Sequence, residues 1–142
     1  MVGRYPAKMD DKGRLFLPSK LRDALGNDFY VTIGANGDHK CLTIYTADDF
    51  HTMEDNFNAL SVHKRSGAAS LIFMYASECI PDKQFRFPLT TDLIEYAELG
   101  KEVMIAARAG QVEIWNMEEF SKFQKENLSP RKLLESLAEI GL

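Results

Sequence analysis

Apolar positions along the chain change period several times, and each change marks an element. Arg4 to Met9 reads as a short strand, and Pro6, which lacks an N–H to donate, assigns it to a sheet edge. Asp11-Lys12-Gly13 is a turn: Gly13 is free to take a positive φ, and Asp10 or Asp11 can accept hydrogen bonds from the turn amides. Arg14 to Leu17 returns as a strand. A short helix over Ser19 to Leu25 follows, opened by Pro18, with Leu21, Ala24 and Leu25 inward and Gly26 as its stop. Phe29 to Ile33 and Cys41 to Tyr45 form a hairpin across Asn36-Gly37-Asp38. Thr46 caps the next helix, whose Phe50, Met53, Phe57 and Leu60 recur at spacings of three, four and three and define one buried face. A linking helix is expected over residues 64–77. Then come strand-turn-strand from Cys79 to Leu89, a helix from about Thr91 to Leu99, and a hairpin of Val103 to Ala107 with Gln111 to Trp115. Asn116 caps a further helix bearing Phe120 and Phe123. Ser129-Pro130 opens a last amphipathic helix, with Leu133, Leu134, Leu137 and Ile140 as its apolar stripe and Gly141 at its end.

This order of elements occurs twice. Asp10, Arg14, Leu17 and Leu21 return as Asp82, Arg86, Leu89 and Leu93, an offset of 72 (82 minus 10). With small changes in loop length, Phe29-Tyr30-Val31-Thr32-Ile33 answers to Glu102-Val103-Met104-Ile105-Ala106. Cys41 to Tyr45 with Asp49-Phe50 answers to Gln111 to Trp115 with Glu119-Phe120. Two such units of about forty residues predict two halves of one pseudo-symmetric domain rather than a repeat array.

At 142 residues and 45% hydrophobic content the chain supports one core, and each half alone would be marginal. Its two cysteines make no disulfide framework. Arg4, Lys8 and Asp10 occupy the place where a secretory leader needs apolar residues, and the apolar run Leu71 to Ala76 is too short to span a membrane. A soluble cytoplasmic protein with reduced thiols is expected. The net charge of −4 is unevenly spread. Residues 1–22 hold six cations against Asp10 and Asp11, a balance of +4, which leaves −8 for the remainder. A basic leading segment on an acidic body suits a polyanion partner.

The chemistry concentrates at Asp10-x-x-x-Arg14. A carboxylate that caps its own turn and pairs with the arginine across it holds the guanidinium out, and that planar fork of donors matches phosphate oxygens or guanine O6 and N7. Lys12, Lys20 and Arg22 add charges suited to backbone contacts. His39, Cys41, His51, His63 and Cys79 raise the question of a metal site. No second ligand pair at usable spacing accompanies His39-x-Cys41, so neither metal nor cofactor is expected. The chain has no glycine-rich phosphate loop, no G-x-S-x-G and no recognisable nucleophile beside a histidine. The acidic pairs Asp48-Asp49 and Glu118-Glu119 fall in helix first turns, where the dipole accounts for them. An enzyme is not expected.

Through Asp10-x-Lys12-Gly13-Arg14, its continuation Leu17-Pro18-x-x-Leu21-Arg22, and Ala76-Ser77-Glu78-Cys79 leading into Asp82-x-x-x-Arg86, the chain resembles the MraZ family, bacterial regulators encoded with division and cell-wall genes, and more distantly AbrB-type transcription factors. The resemblance implies an α+β fold: a pseudo-symmetric, swapped-hairpin, AbrB-like β-barrel built from two internal repeats with flanking helices. Residues 1–142 would form a single pseudo-twofold domain. Its parts would be a first repeat at 4–50, linking helices at 51–75, a second repeat at 76–120 and C-terminal helices at 121–142. It further implies a ring-shaped homo-oligomer, without membrane association, that binds double-stranded DNA in the cytoplasm at the nucleoid. There it would act on the operon of division and cell-wall genes containing its own gene, through short upstream direct repeats. The DNA-binding residues carried over are Lys12, Arg14, Lys20, Arg22 and Arg86, with Asp10, Gly13 and Asp82 shaping the loops. The rival reading is an oligomeric protein-interaction module of the same fold that does not bind DNA.

The second copy departs from the first at Phe85 in place of Gly13, Thr91 in place of a proline helix start, and Ile94 in place of Arg22. Residues 76–94 sum to −1, with Lys83 and Arg86 against Glu78, Asp82 and Asp92. A phenylalanine in a left-handed turn costs roughly 1–2 kcal/mol. The second turn is therefore expected to have changed shape and moved Arg86, leaving the first half dominant in DNA contact and the second serving the barrel. The alternative is that Phe85 fills an apolar gap in the barrel rim and Arg86 pairs with Asp82 or Glu78, which makes the second loop a brace.

Overall fold

The computed structural model describes residues 1–141. Eight strands and six helices follow the predicted order: β1 Gly3–Lys8, β2 Arg14–Phe16, α1 Ser19–Leu25, β3 Phe29–Asn36, β4 His39–Thr46, α2 Ala47–Ala59, α3 Gly67–Tyr75, β5 Ser77–Cys79, β6 Arg86–Pro88, α4 Thr91–Tyr96, β7 Glu102–Arg108, β8 Gln111–Asn116, α5 Met117–Asn127 and α6 Pro130–Ile140. The local signals explain most boundaries. Gly37, at φ 59, makes the two-residue turn that sets Asn36 opposite His39 and so fixes the β3–β4 register. The side chains of Thr46, Ser66, Thr90, Asn116 and Ser129 each accept the backbone N–H of the residue three positions on, capping five of the six helices.

Several expected details are corrected. The linking segment is not one helix over 64–77: a 3₁₀ turn at Val62–Lys64 precedes α3, which starts at Gly67 behind the Ser66 cap. There a glycine occupies a first-turn position, and its helix penalty hardly applies. Helix α4 ends at Tyr96, three residues before Leu99, as the chain turns through Glu98 at φ 52. Ala24 is exposed, so α1 is held by Leu21 and Leu25 alone. Of the α2 stripe, only Phe50 is fully buried. Met53 and Phe57 are half-buried and Leu60 is exposed.

The strands form two antiparallel sheets, one of six in the order β1-β7-β8-β4-β3-β5 and one of two, β2-β6. Strand β1, from the first repeat, pairs with β7 of the second, while β5 of the second pairs with β3 of the first. Each half thus lends its leading strand to the other half's hairpin. Because Ala7 lies opposite Val103 and Cys79 opposite Phe29, Val103 is the structural counterpart of Phe29. That shifts the sequence alignment of these strands by one residue. The pseudo-twofold relation passes through Thr43 opposite Glu113 and through Leu15 opposite Phe87. Among the described residues the six-stranded sheet keeps two free edges, β1 and β5, so its hydrogen bonding does not close into the expected barrel. Pro6 sits on the edge strand, as its missing N–H requires.

One apolar cluster binds the halves together. Leu15, Leu17, Leu21, Phe29, Val31, Phe87, Leu93, Val103, Ile105 and Ile114 are all about fully buried within it, and Phe29 meets Phe87 edge-on at 5.2 Å. Burial of a large apolar side chain contributes about 1.5–3 kcal/mol. Truncating Phe87 or Phe29 would therefore weaken both repeats at once. No helix among the described residues is long and apolar enough to cross a membrane.

Candidate nucleic-acid interface

The two Asp-x-x-x-Arg turns are joined through the antiparallel β2–β6 ladder, one turn at each end of it. In the first, Asp10 Oδ1 accepts the amides of Lys12 (3.0 Å) and Arg14 (2.9 Å), and Oδ2 accepts Arg14 Nε–H at 2.8 Å. Asp82 repeats this set with the amides of Gln84 (2.9 Å) and Arg86 (3.0 Å) and with Arg86 Nε–H at 2.9 Å. The backbone closes both turns in the same way, Gly13 N–H to Asp10 C=O (3.1 Å) and Phe85 N–H to Asp82 C=O (2.9 Å). The amide of Arg14, more than its guanidinium, holds the Asp10 carboxyl below its usual range, and the amide of Arg86 does the same for Asp82.

The expectation that Phe85 had reshaped the second turn is wrong. Phe85 has φ 60 against 72 for Gly13, and the hydrogen-bond pattern is unchanged. Long-range bonds impose the strained conformation. Phe85 C=O accepts Leu17 N–H at 2.8 Å, the counterpart of Gly13 C=O accepting Leu89 N–H at 2.9 Å, so each turn is fastened to the opposite repeat. The Phe85 ring is 41% exposed and does not fill an apolar gap. Instead the Arg22 guanidinium lies over it, 3.8 Å from the centroid.

The arrangement sorts the sequence-derived residues. Arg14 and Arg86 each use only Nε within the protein. Their terminal guanidinium nitrogens make no hydrogen bond among the described residues, and both side chains are about a quarter exposed. Lys12, in the first turn, and Lys20, in α1, are both exposed. Arg22 is more embedded: its Nε–H donates to Leu17 C=O at 3.1 Å while its plane covers Phe85, so it ties the first helix to the second turn. Sequence reasoning missed the exposed aromatics. Phe16, 53% exposed, points out between buried Leu15 and Leu17 and sits opposite Arg86 in the ladder. Strand alternation through Leu15-Phe16-Leu17 was the signal for it.

The His39 and Cys41 region does other work. His39 Nε2 lies 2.7 Å from Glu126 and Nδ1 3.0 Å from Glu119, so the imidazole bridges both carboxylates and ties β4 to α5. Glu126 first, and Glu119 second, raise its pKa. Burial pushes the Cys41 and Cys79 thiols up to about 12, which leaves both unreactive. Cys41 Sγ faces Glu113, which also accepts Trp115 Nε1–H at 3.2 Å.

With this geometry in view, comparison with known proteins is specific. The family model described as "MraZ protein, putative antitoxin-like" matches residues 1–70 and 72–138, one segment for each repeat. The transcriptional regulator MraZ of Heliobacterium modesticaldum is 35% identical over 144 residues, covering 99% of each chain. The protein of that name from Caldicellulosiruptor saccharolyticus is 34% identical over 145 residues, covering 100% of this chain and 99% of its own. That from Clostridium beijerinckii is 31% identical over 143 residues, covering 99% of each. Since the matches run through both Asp-x-x-x-Arg turns and nearly end to end, the chain belongs to the MraZ family.

Proposed function

We propose that the protein is a sequence-specific DNA-binding transcriptional regulator. The observation that carries this is the duplicated turn. Two guanidinium groups are each held at Nε by a carboxylate with their terminal donors unspent, which is the fork that reads guanine O6 and N7 or grips phosphate. The relatives' name, transcriptional regulator, supports the same reading. Arg14 and Arg86 reach base edges, Lys12 and Lys20 contact the backbone, and Arg22 contributes charge while bracing Phe85. With both turns alike in shape, any inequality between them rests on charge, +4 over residues 1–22 against −1 over residues 76–94.

The exchanged leading strands and the pseudo-twofold ladder support a swapped-hairpin, AbrB-like arrangement in which residues 1–142 act as one domain. One loop pair with few cations binds weakly, whereas several copies on one body multiply affinity through effective concentration. The exposed apolar residues of α3 (Leu71, Met74) and α6 (Leu134, Ile140) support assembly into a ring-shaped homo-oligomer. The oligomer would bind short direct repeats upstream of its own gene, in an operon of division and cell-wall genes, at the nucleoid in the cytoplasm.

Fluorescence anisotropy with the duplex upstream of its own gene tests the reading. Arg14→Ala is expected to weaken binding by about 1–3 kcal/mol per site and to relax specificity, and Arg86→Ala to act in the same direction with a smaller loss. Unchanged binding in a folded Arg14→Ala, Arg86→Ala double variant refutes it.

A further inference from the structure

Four cations from three separate segments converge on one open groove of about 850 Å³ beside the first turn: Arg4 and Lys8 from β1, Lys20 from α1, and Lys101 from the connection before β7. Among the described residues Asp10 is the one carboxylate lining it, and its oxygens are already taken by Lys12 and Arg14. All four cations are exposed, and none forms an ion pair or side-chain hydrogen bond among the described residues. Glu102 faces Lys8 across the β1–β7 ladder without forming an ion pair with it.

The pseudo-twofold relation shows that the fold does not require these charges. The positions matching Arg4, Lys8 and Lys20 in the other repeat are Ala76, Ile80 and Asp92, and the strand pairing makes Asn27 the counterpart of Lys101. The same backbone therefore accepts neutral and acidic residues there. Exposed Phe16, which also lines the groove, has Pro88 as its counterpart. A concentration of charge that is confined to one side, unpaired and unnecessary for folding points to a ligand. Lysine ammonium groups in an open groove suit phosphates as point charges that position without specifying.

We infer that this groove is a second contact surface for the DNA backbone: Arg4, Lys8 and Lys101, with Lys20, bind phosphates flanking the bases read by the first turn. The inference rests on the DNA-binding reading above and extends it to three residues outside the Asp-x-x-x-Arg turns. Because one turn of the protein then carries a phosphate track that the other lacks, each subunit binds DNA in a fixed polarity. That polarity suits repeats arranged head to tail.

The test compares an Arg4→Gln, Lys8→Gln, Lys101→Gln triple variant with wild-type protein, on the upstream duplex and on a random duplex of equal length, across a salt series. The expected result is an equal fold-loss on both duplexes and a fall of roughly two to three in the slope of log affinity against log salt, about 0.9 for each phosphate no longer neutralised. The ratio between the duplexes should be unchanged. Arg14→Ala should instead lower that ratio. Lys101→Gln alone, at an exposed position where only the backbone carbonyl is used, as acceptor for Met9 N–H, should lower the slope by about one even if the triple variant folds poorly. If Arg14→Ala weakens binding while a folded Lys101→Gln and the triple variant keep wild-type affinity and slope, the groove inference alone is overturned. If the wild-type protein binds neither duplex, the DNA reading fails and this inference fails with it.

Discussion

Replacing Phe85 by glycine and by alanine separates two effects that oppose each other at the second turn. The φ of 60 costs a side-chain-bearing residue about 1–2 kcal/mol. Against that, the ring carries Arg22 at 3.8 Å, a cation–π contact worth about 0.5–1 kcal/mol at a partly exposed site. Phe85→Gly relieves the strain, loses the ring, and loosens the unfolded chain by about 0.4–1 kcal/mol, so its net effect lies within about 1 kcal/mol of zero. Phe85→Ala keeps the strain and loses the ring, so it destabilises by about 0.5–1.5 kcal/mol. The expected order is that glycine at 85 is more stable than alanine by about 0.5–1 kcal/mol, the reverse of the usual preference. The matching Gly13→Ala should destabilise by about 1–2 kcal/mol, because an added Cβ also meets Ile94 Cδ1 at 3.3 Å. Urea unfolding reads all three as shifts in midpoint at constant slope. Should Phe85→Ala equal or exceed Phe85→Gly in stability, the claim that long-range bonds force a strained residue into this turn is wrong.

Three further outcomes follow from the same contacts. The His39 pKa is raised by Glu126 and Glu119, so its bridge contributes fully below the unfolded histidine value of about 6.5 and is lost as pH rises through the higher folded value. Thermal unfolding followed from about pH 6 upward should show this decline, and His39→Gln should flatten it. The Asp10 and Asp82 carboxyls are held low, so their contribution is present above about 3.9 and lost as pH falls through the folded values; Asp10→Asn with Asp82→Asn should flatten the acid limb of stability. Leu134 and Ile140 are 69% and 80% exposed, so Leu134→Glu with Ile140→Glu should leave the folded subunit within about 0.5 kcal/mol of wild type yet shift the mass seen by light scattering toward 16.1 kDa; an unchanged larger mass, or a wild-type monomer, excludes α6 as an assembly face.

Much of this protein is written locally and could be read residue by residue. The Asp10-to-Arg14 turn, the Gly37 hairpin, the caps at Thr46 and Asn116, and the stop at Gly26 depend on interactions within a few residues, whose geometry the side chains themselves dictate. The repeat was also legible, since Asp82 and Arg86 keep the spacing that the turn needs. Tertiary structure decided what no spacing encodes. Strand β1 pairs with β7 and β5 with β3, because hydrogen-bonding edges are satisfied by whichever strand the packed core brings beside them. Phe85 keeps the glycine conformation because Leu17 of the other repeat holds its carbonyl, a constraint 68 residues away (85 minus 17) that outweighs the local preference. Distance along the chain likewise hid His39 between two helix carboxylates, and Lys101 beside Arg4, Lys8 and Lys20. Charge patterning located the basic end of the molecule, and only the fold could gather those charges into one groove, because side chains from separate elements become neighbours through packing rather than sequence.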